Sequence, residues 1–410
     1  MKKTTNLLLT ALMLIAFTDN CNAQLWKKLK EKAEDVIVKS AEKEIDKTIN
    51  GDSSSNDEDV QGVEKNDTES KTTVENDSNE DLSLDSPEVW RDFRFVSGEK
   101  VIFYDDLSSE QVGEFPSRWD LVRGGAEVVK INGEKAIILV AETSNIITPL
   151  FTTKDYLGDE FTIEYDIMIP NLEEEKIWYM KHELHFNDAF RNSDAEFEIK
   201  SAARIEGWAA NSNFKMESIS VGTQNAWHHI AISYYKGKFK MYYDSKRVSN
   251  IPRFDMEPSM FSIGLMCYSK NETKHPYLAI KNIKIAHGGG EMYNRIVADG
   301  EYVTNGIIFD SGKSKIKSSS LGIINQMVNI LQDNPDWKFD IIGHTDSDGT
   351  DATNLTLSKE RANAVKEEMV NQGIAADRLN VIGKGESQPL NTNSTPEEKA
   401  NNRRVAFIKK

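Results

Sequence analysis

The sequence predicts a multidomain chain: an all-β sandwich of jelly-roll type, then an α+β domain running βαβαββ, both behind a disordered acidic linker. Three observations predict this. Short β-branched and aromatic runs, separated by turn signals, fill residues 93–290. Helical and strand periods alternate over residues 300–410. Residues 50–88 hold thirteen acids against Lys65 and Lys71, with almost no large apolar side chain. Such a segment cannot bury enough surface to offset the entropy of folding.

The chain has 410 residues, 66 acidic and 50 basic, for a formal charge of −16. That balance argues against nucleic acid as a partner, because phosphate binding needs a basic face. Two cysteines cannot make a disulfide framework. No apolar run reaches about 18 residues, so no ordinary membrane-spanning helix is expected.

Residues 1–23 read as a secretory signal. Lys2 and Lys3 precede an apolar core from Leu7 to Phe17, and small residues near Ala23 suit cleavage there. A lipid anchor on Cys21 is the rival, weakened by the polar Thr18-Asp19-Asn20 before it. Residues 24–49 form an amphipathic helix by spacing: Trp26, Leu29, Ala33 and Val36, then Ile37, Ala41 and Ile45. With four lysines crowded into its first half, it suits a membrane surface, a partner helix, or plain solvation. The acidic linker, 50–92, follows.

In the sandwich region, strands are expected at Val101–Tyr104, Ala136–Val140, Phe161–Ile169, Phe197–Ile199, His228–Tyr235 and Phe239–Tyr243. Turns are expected at Asn132-Gly133, Lys236-Gly237 and Asp244-Ser245. Cys267 sits in a run that reads as buried strand. The stretch from Trp227 to Val248 resembles the strand pair of laminin-G and concanavalin-like domains. That resemblance implies a glycan or protein ligand, and related folds hydrolyse glycans. Hydrolysis needs two carboxylates on one side of the sugar. Glu164-Tyr165-Asp166 supplies the start of such a pattern, but position 169 is Ile where a further Glu is required. His182, Glu183 and His185 do not make a metal site, because strand residues three apart face opposite ways. They read as ordinary strand or rim residues.

In the C-terminal region a strand is expected at Gly306–Phe309. Leu321, Ile324, Val328 and Leu331 mark a helix ending before Pro335. Strands follow at Phe339–Gly343, Leu379–Gly383 and Arg404–Ile408, with a helix at 354–371 stopped by Gly373. Helices on one face of a mixed sheet result. The ordered set Gly343-His344-Thr345-Asp346, Asn354, Leu357-Ser358, Arg361-Ala362, Gly383-Lys384-Gly385-Glu386 and Asn402-Arg403-Arg404-Val405 resembles the OmpA C-terminal, peptidoglycan-binding family. Lys399-Ala400 departs from it, where Gly-Arg is usual.

The resemblance implies an exported protein of the periplasm or cell outer membrane in a Gram-negative envelope. It implies that Asp346 and Arg361 hold the diaminopimelate group of a peptidoglycan stem peptide, with Asn354, Leu357 and Arg404 in support. The chemistry fits independently. That group carries a carboxylate and an ammonium, so its receptor needs a fixed cation and a fixed anion. A guanidinium fork suits the first and aspartate the second. Asn354, Ser358 and Arg361 share a helix face, and a helix N-terminus near Asn354 adds partial positive charge. Asp346 and Arg361 as a mere internal salt bridge is the bland alternative. Asp346, Asp348 and Asp351 mimic a calcium loop, but its twelfth position is Leu357 rather than Glu. No nucleophile–base pair and no phosphate loop appears, so no enzyme activity, cofactor or metal is expected. The rival function is an adhesin or lectin acting through the sandwich, with the C-terminal domain only a tether.

Overall fold

A computed structural model describes Trp90 and residues 93–140, 144–168, 177–187, 193–201, 204–209, 212–216, 225–269 and 277–410. The signal, the amphipathic helix and nearly all of the acidic linker lie outside these residues. The described strands of the first domain are β1 (Lys100–Asp105), β2 (Trp119–Arg123), β3 (Ala126–Ile131), β4 (Glu134–Val140), β5 (Ser144–Pro149), β6 (Glu160–Met168), β7 (Ile177–His185) and β8 (Ala195–Ser201). Then come β9 (Arg204–Ala209), β10 (Ser212–Met216), β11 (Trp227–Tyr235), β12 (Lys238–Tyr243), β13 (Lys246–Ile251), β14 (Ser262–Ser269) and β15 (Tyr277–His287). Cys267 falls in β14.

These strands make two antiparallel sheets. One runs β13-β12-β11-β6-β15-β4-β3, with β1 also on β15; the other runs β10-β9-β8-β7-β14-β5-β2. Their inner faces share one apolar core. Ile163, Tyr165, Ile230 and Phe239 come from the first sheet, and Met180, Leu184, Ile147 and Ile263 from the second. This is face-to-face sheet packing, driven by apolar burial. The expected turns are in place. Asn132 and Gly133 both take positive φ, as do Lys236 and Gly237, which is what a two-residue hairpin turn demands.

His182 is not a rim residue. It is fully buried between the sheets, where its Nε2 meets the Tyr165 hydroxyl at 2.6 Å and its Nδ1 meets the Gly264 carbonyl at 3.1 Å. Burial pulls its pKa down to about 4.

The C-terminal domain has α1 (Met292–Asp299), β16 (Glu301–Thr304), α2 (Leu321–Asp333), β17 (Phe339–Gly343), α3 (Asp351–Asn371), β18 (Leu379–Gly383), α4 (Pro396–Asn402) and β19 (Val405–Lys409). Its sheet order is β16-β19-β17-β18, with only the β17–β18 pair parallel. Leu321, Ile324, Val328 and Leu331 of α2 and Ala362, Val365 and Met369 of α3 pack on Phe339 and Ile341 of β17. The mixed sheet with helices on one face is therefore present.

Three details differ from the sequence reading. The first strand is Glu301–Thr304, not Gly306–Phe309. Phe309 makes only a single bridge to Ile316, because a close approach by Ile323 and Ser97 at Gly306 draws that segment off the sheet. Helix α3 begins at Asp351, where the Thr350 hydroxyl accepts the Thr353 N–H at 3.3 Å. Two short helices, α1 and α4, were not anticipated.

The two domains touch through the outer face of the first sheet, and the described residues belong to one compact unit. Trp90, Phe93, Phe95 and Val96 wedge between Ala231 and Tyr242 of the sheet and Ile323, Ile324 and Met327 of α2. The Asn325 amide donates to the Trp90 and Phe93 carbonyls, 3.2 Å each. On the other side, α4 docks along β1. The Asn401 side chain accepts the Val101 N–H at 2.9 Å and donates to the Val101 carbonyl at 3.0 Å, and Glu397 accepts the Tyr104 N–H at 3.0 Å.

Two predictions test this packing. Gly343 closes β17 directly beneath the Ser358 carbonyl, and an added Cβ would overlap that oxygen. Gly343→Ala is expected to cost about 1–3 kcal/mol in urea unfolding, as overpacked sites do; an unchanged midpoint would contradict the close contact. The second concerns pH. His182 is neutral in the folded protein but takes a proton near pH 6.5 when unfolded, so stability falls as pH drops from 6.5 toward 4. The term is worth about 3 kcal/mol at most. His182→Gln should flatten the slope of unfolding free energy against pH in that window, and an identical slope would refute it.

Candidate functional site

The candidate site gathers around the end of β17, the start of α3 and the turn after β18. The chain leaves β17 through His344, Thr345 and Asp346, and the backbone ties it in place. His344 N–H donates to the Arg404 carbonyl at 3.0 Å, and Thr345 N–H to the Gly385 carbonyl at 3.0 Å. Ser358 on α3 accepts the Gly385 N–H through Oγ at 2.8 Å. Asn354, also on α3, donates to the Asp346 carbonyl at 3.3 Å and the Asp348 carbonyl at 3.1 Å, and to the Glu386 carboxylate. Asn354 is thus a loop clamp in the first turn. The helix cap is Thr350 and the helix starts at Asp351, three residues before the expected start.

Asp346 is buried, and its carboxylate is engaged by Arg403 at 2.6 Å. Sequence reasoning did not foresee this pair. Arg361 projects from one turn past Ser358 and stays half-buried. Its Nε donates to the Lys313 carbonyl at 3.0 Å and a terminal nitrogen to the Asp310 carbonyl at 3.5 Å. Its guanidinium lies over the Phe309 ring, 5.0 Å from the centroid. Burial lowers its pKa and the Arg403 charge lowers it further, while Asp346 acts the other way. So Arg361, Arg403 and Asp346 share one electrostatic neighbourhood. Among the described residues, Asp346 is ion-paired with Arg403 and not with Arg361.

Arg404 is buried beside this group. It donates to the Gln388 carbonyl at 2.8 Å and the Asn402 carbonyl at 3.3 Å, and burial lowers its pKa. Leu357 is half-buried on α3 and does not reach the cavity described next.

A cavity of about 100 Å³ lies against Arg361, Arg403, Arg404 and His344. A single water needs about 10–15 Å³ on such a measure, so the space admits a small polar group. His344 is 6% exposed, and its Nδ1 has no hydrogen-bond partner. Burial, then the charges of Arg404 and Lys384, draw its pKa down to about 4, so it is neutral at neutral pH. The opposite wall belongs to the sandwich: Val101, Tyr104 and Lys284. The Arg403 guanidinium lies 5.3 Å from the Tyr104 ring centroid. Nothing in the sequence signalled these wall residues, since Val101 and Tyr104 lie more than two hundred positions from the C-terminal lining and Lys284 belongs to the other domain.

Glu164 and Asp166, considered for glycan hydrolysis, face this same seam and are committed elsewhere. Glu164 pairs with Lys284 at 3.0 Å and bonds Ser97, and Asp166 meets His229 at 3.0 Å and Asn282 at 2.6 Å. Burial alone would raise Glu164, yet Lys284 and His229 outweigh it and hold it down to about 2. Burial would likewise lower His229, but Asp166 and Glu164 lift it to about 9. Both carboxylates are thus engaged within one buried ion network. The Asp348 carboxylate, part of the calcium-like run, holds Lys399 at 2.7 Å.

Comparison with known proteins agrees with the C-terminal fold. Residues 308–403 match the OmpA family. Outer membrane porin F of Pseudomonas aeruginosa is 45% identical over 98 residues, covering 24% of this chain and 28% of that protein. The probable lipoprotein YiaD of Escherichia coli is 36% identical over 101 residues, 25% of this chain and 46% of that protein. The peptidoglycan-binding protein ArfA of Mycobacterium bovis is 35% identical over 107 residues, 26% of this chain and 33% of that protein. The chain spans less than half the length of each of these relatives. The C-terminal part of this chain, residues 308–403, is an OmpA-family domain.

Proposed function

We propose that the C-terminal domain binds peptidoglycan non-covalently and thereby tethers the sandwich to the cell wall of the envelope. The ligand group is the diaminopimelate side chain of a stem peptide, with its carboxylate on Arg361 and its ammonium on Asp346. The observation that carries this reading is Arg361 itself: a half-buried guanidinium at a cavity edge whose hydrogen-bond partners among the described residues are carbonyls. A guanidinium so placed gains most from a carboxylate, which offers two parallel charge-assisted bonds. Asp346 lies in the same neighbourhood, and a ligand ammonium would displace Arg403 from it.

Asn354 and Ser358 hold the loop and turn that present Asp346, and Arg404 lines the cavity. Leu357 contributes to the helix face beside it. The names of the relatives, a porin of the outer membrane, a lipoprotein and a peptidoglycan-binding protein, support an envelope location, periplasm or outer membrane. Binding needs no covalent step, so the domain works as a receptor. The hairpin of β11 and β12 keeps a laminin-G or concanavalin-like sandwich as part of the proposal, with a glycan or protein ligand of its own.

The test is co-sedimentation of the full chain with isolated diaminopimelate-type sacculi. Wild type is expected in the pellet and to be released by free diaminopimelate. The double variant Asp346→Ala, Arg361→Ala should lose at least about tenfold in apparent affinity, as expected when charge-assisted bonds at a buried site are removed. Equal pelleting of the two proteins sinks the site.

A further inference from the structure

The cavity beside Arg361 is walled by two domains, and the sandwich wall is built for the purpose of facing it. Strand β1 alternates irregularly: its register against β15 slips between Val101 and Phe103. This bulge sends Ile102 and Phe103 toward the sandwich core while Val101 and Tyr104 both turn to the C-terminal domain. Asn401 and Glu397 of α4 then hold the backbone of β1 at Val101 and Tyr104, which fixes the wall's distance. Lys284, on the neighbouring β15, brings an ammonium to the space the three arginines line.

From this geometry we propose that the ligand site is composite: Tyr104 of the sandwich is a positioning residue that holds Arg403 when a ligand ammonium takes Asp346, and Lys284 is a specificity-determining residue that favours a carboxylate at Arg361. The inference rests on the proposed function above and adds the second domain to it. Three observations carry it. First, the hydrogen-bond partners of Arg361 and Arg404 among the described residues are carbonyls, so neither of these cavity cations is directly paired with a carboxylate there. Second, the buried His344 presents an unpartnered Nδ1 on its lining. A buried polar lining of this kind is costly unless a ligand or water satisfies it. Third, Arg403 touches the Asp346 carboxylate and the Tyr104 ring at the same time.

The third point sets a role for Tyr104. A ligand ammonium that takes Asp346 must displace Arg403. With Tyr104 beside it, the displaced guanidinium keeps a cation–π partner and is not left stranded. Tyr104 thus lowers the cost of the exchange, and Val101 gives the ligand's methylene chain an apolar surface. Lys284 adds positive potential that favours an acid over a neutral or cationic end. Its charge is shared with Glu164, so it acts at a distance and leaves the direct bonds to Arg361.

The test is calorimetric titration of the full chain with two soluble stem tripeptides, one ending in diaminopimelate and one in lysine, which lacks the extra carboxylate. Wild type should prefer the first. Tyr104→Ala is expected to weaken that peptide about tenfold, with Tyr104→Phe recovering most of it through the retained ring. Lys284→Gln should narrow the preference between the two peptides by several-fold; a purely structural loosening would weaken both alike. Tyr104 is half-buried, so its variants keep the test readable even if removing Lys284 from Glu164 harms folding. Unchanged or tighter binding by Tyr104→Ala, with binding still lost in Arg361→Ala, overturns the composite site and leaves the proposed function standing. Undiminished binding in Arg361→Ala overturns the proposed function, and the composite site with it.

Discussion

The outer face of the eight-stranded sheet cannot be left to water, and much of the molecule follows from that. It carries Ala231 and Tyr242 as apolar surface and Glu164, Asp166, His229 and Lys284 as charge. Burying charge is tolerable only when each group is paired and hydrogen-bonded. Here the pairing is nearly closed: Glu164 serves Lys284, His229 and Ser97 together. The wedge of Trp90 to Val96 and the helix Leu321–Asp333 cover the apolar part. The polar part abuts the C-terminal domain, and the cavity is what remains between them.

That origin explains the cavity's electrostatics. A site between two protein surfaces has a lower effective dielectric than an open groove, so fixed charges act more strongly there. The sandwich supplies its own carboxylates to its own cations. The C-terminal domain does the same for Arg403 through Asp346. Arg361 and Arg404 are left with carbonyl oxygens, which offer dipoles but no charge. The imbalance is local and owes nothing to the chain's overall acidity of −16, thirteen acids of which sit in residues 50–88.

Much of this was legible in the sequence where the controlling force is local. Alternation in Trp227–Tyr235 and a Lys-Gly turn specify a hairpin, and the hairpin is there in the expected register. Helical spacing from Leu321 to Leu331 specifies a helix with one buried face. The side chains Asp346, Arg361, Asn354 and Arg404 were readable as a set because the motif keeps their spacing, and the fold brings them together. The partners were not readable. Arg403 takes Asp346 across 57 positions, and Tyr104 reaches Arg403 across about three hundred. No periodicity encodes such a contact. The bulge in Lys100–Asp105 hides it further, since a regular strand would send Val101 and Phe103 to one face. The strand misplaced at Gly306–Phe309 has the same cause: its residues are strand-like, but packing by Ser97 and Ile323 decides their path.

The two-domain wall also bears on how ligand and architecture influence each other. A ligand that contacts both domains binds the docked arrangement more tightly than a separated one, and by linkage it must stabilise the docking by the same free energy. The contacts around the cavity are the Asn401 bonds to the Val101 backbone, the Glu397 bonds to Tyr104 and Arg118, the Arg403–Tyr104 contact and the small apolar cluster of Val101, Ala286 and Ala400. The apolar wedge on the other side of the seam does not depend on the cavity.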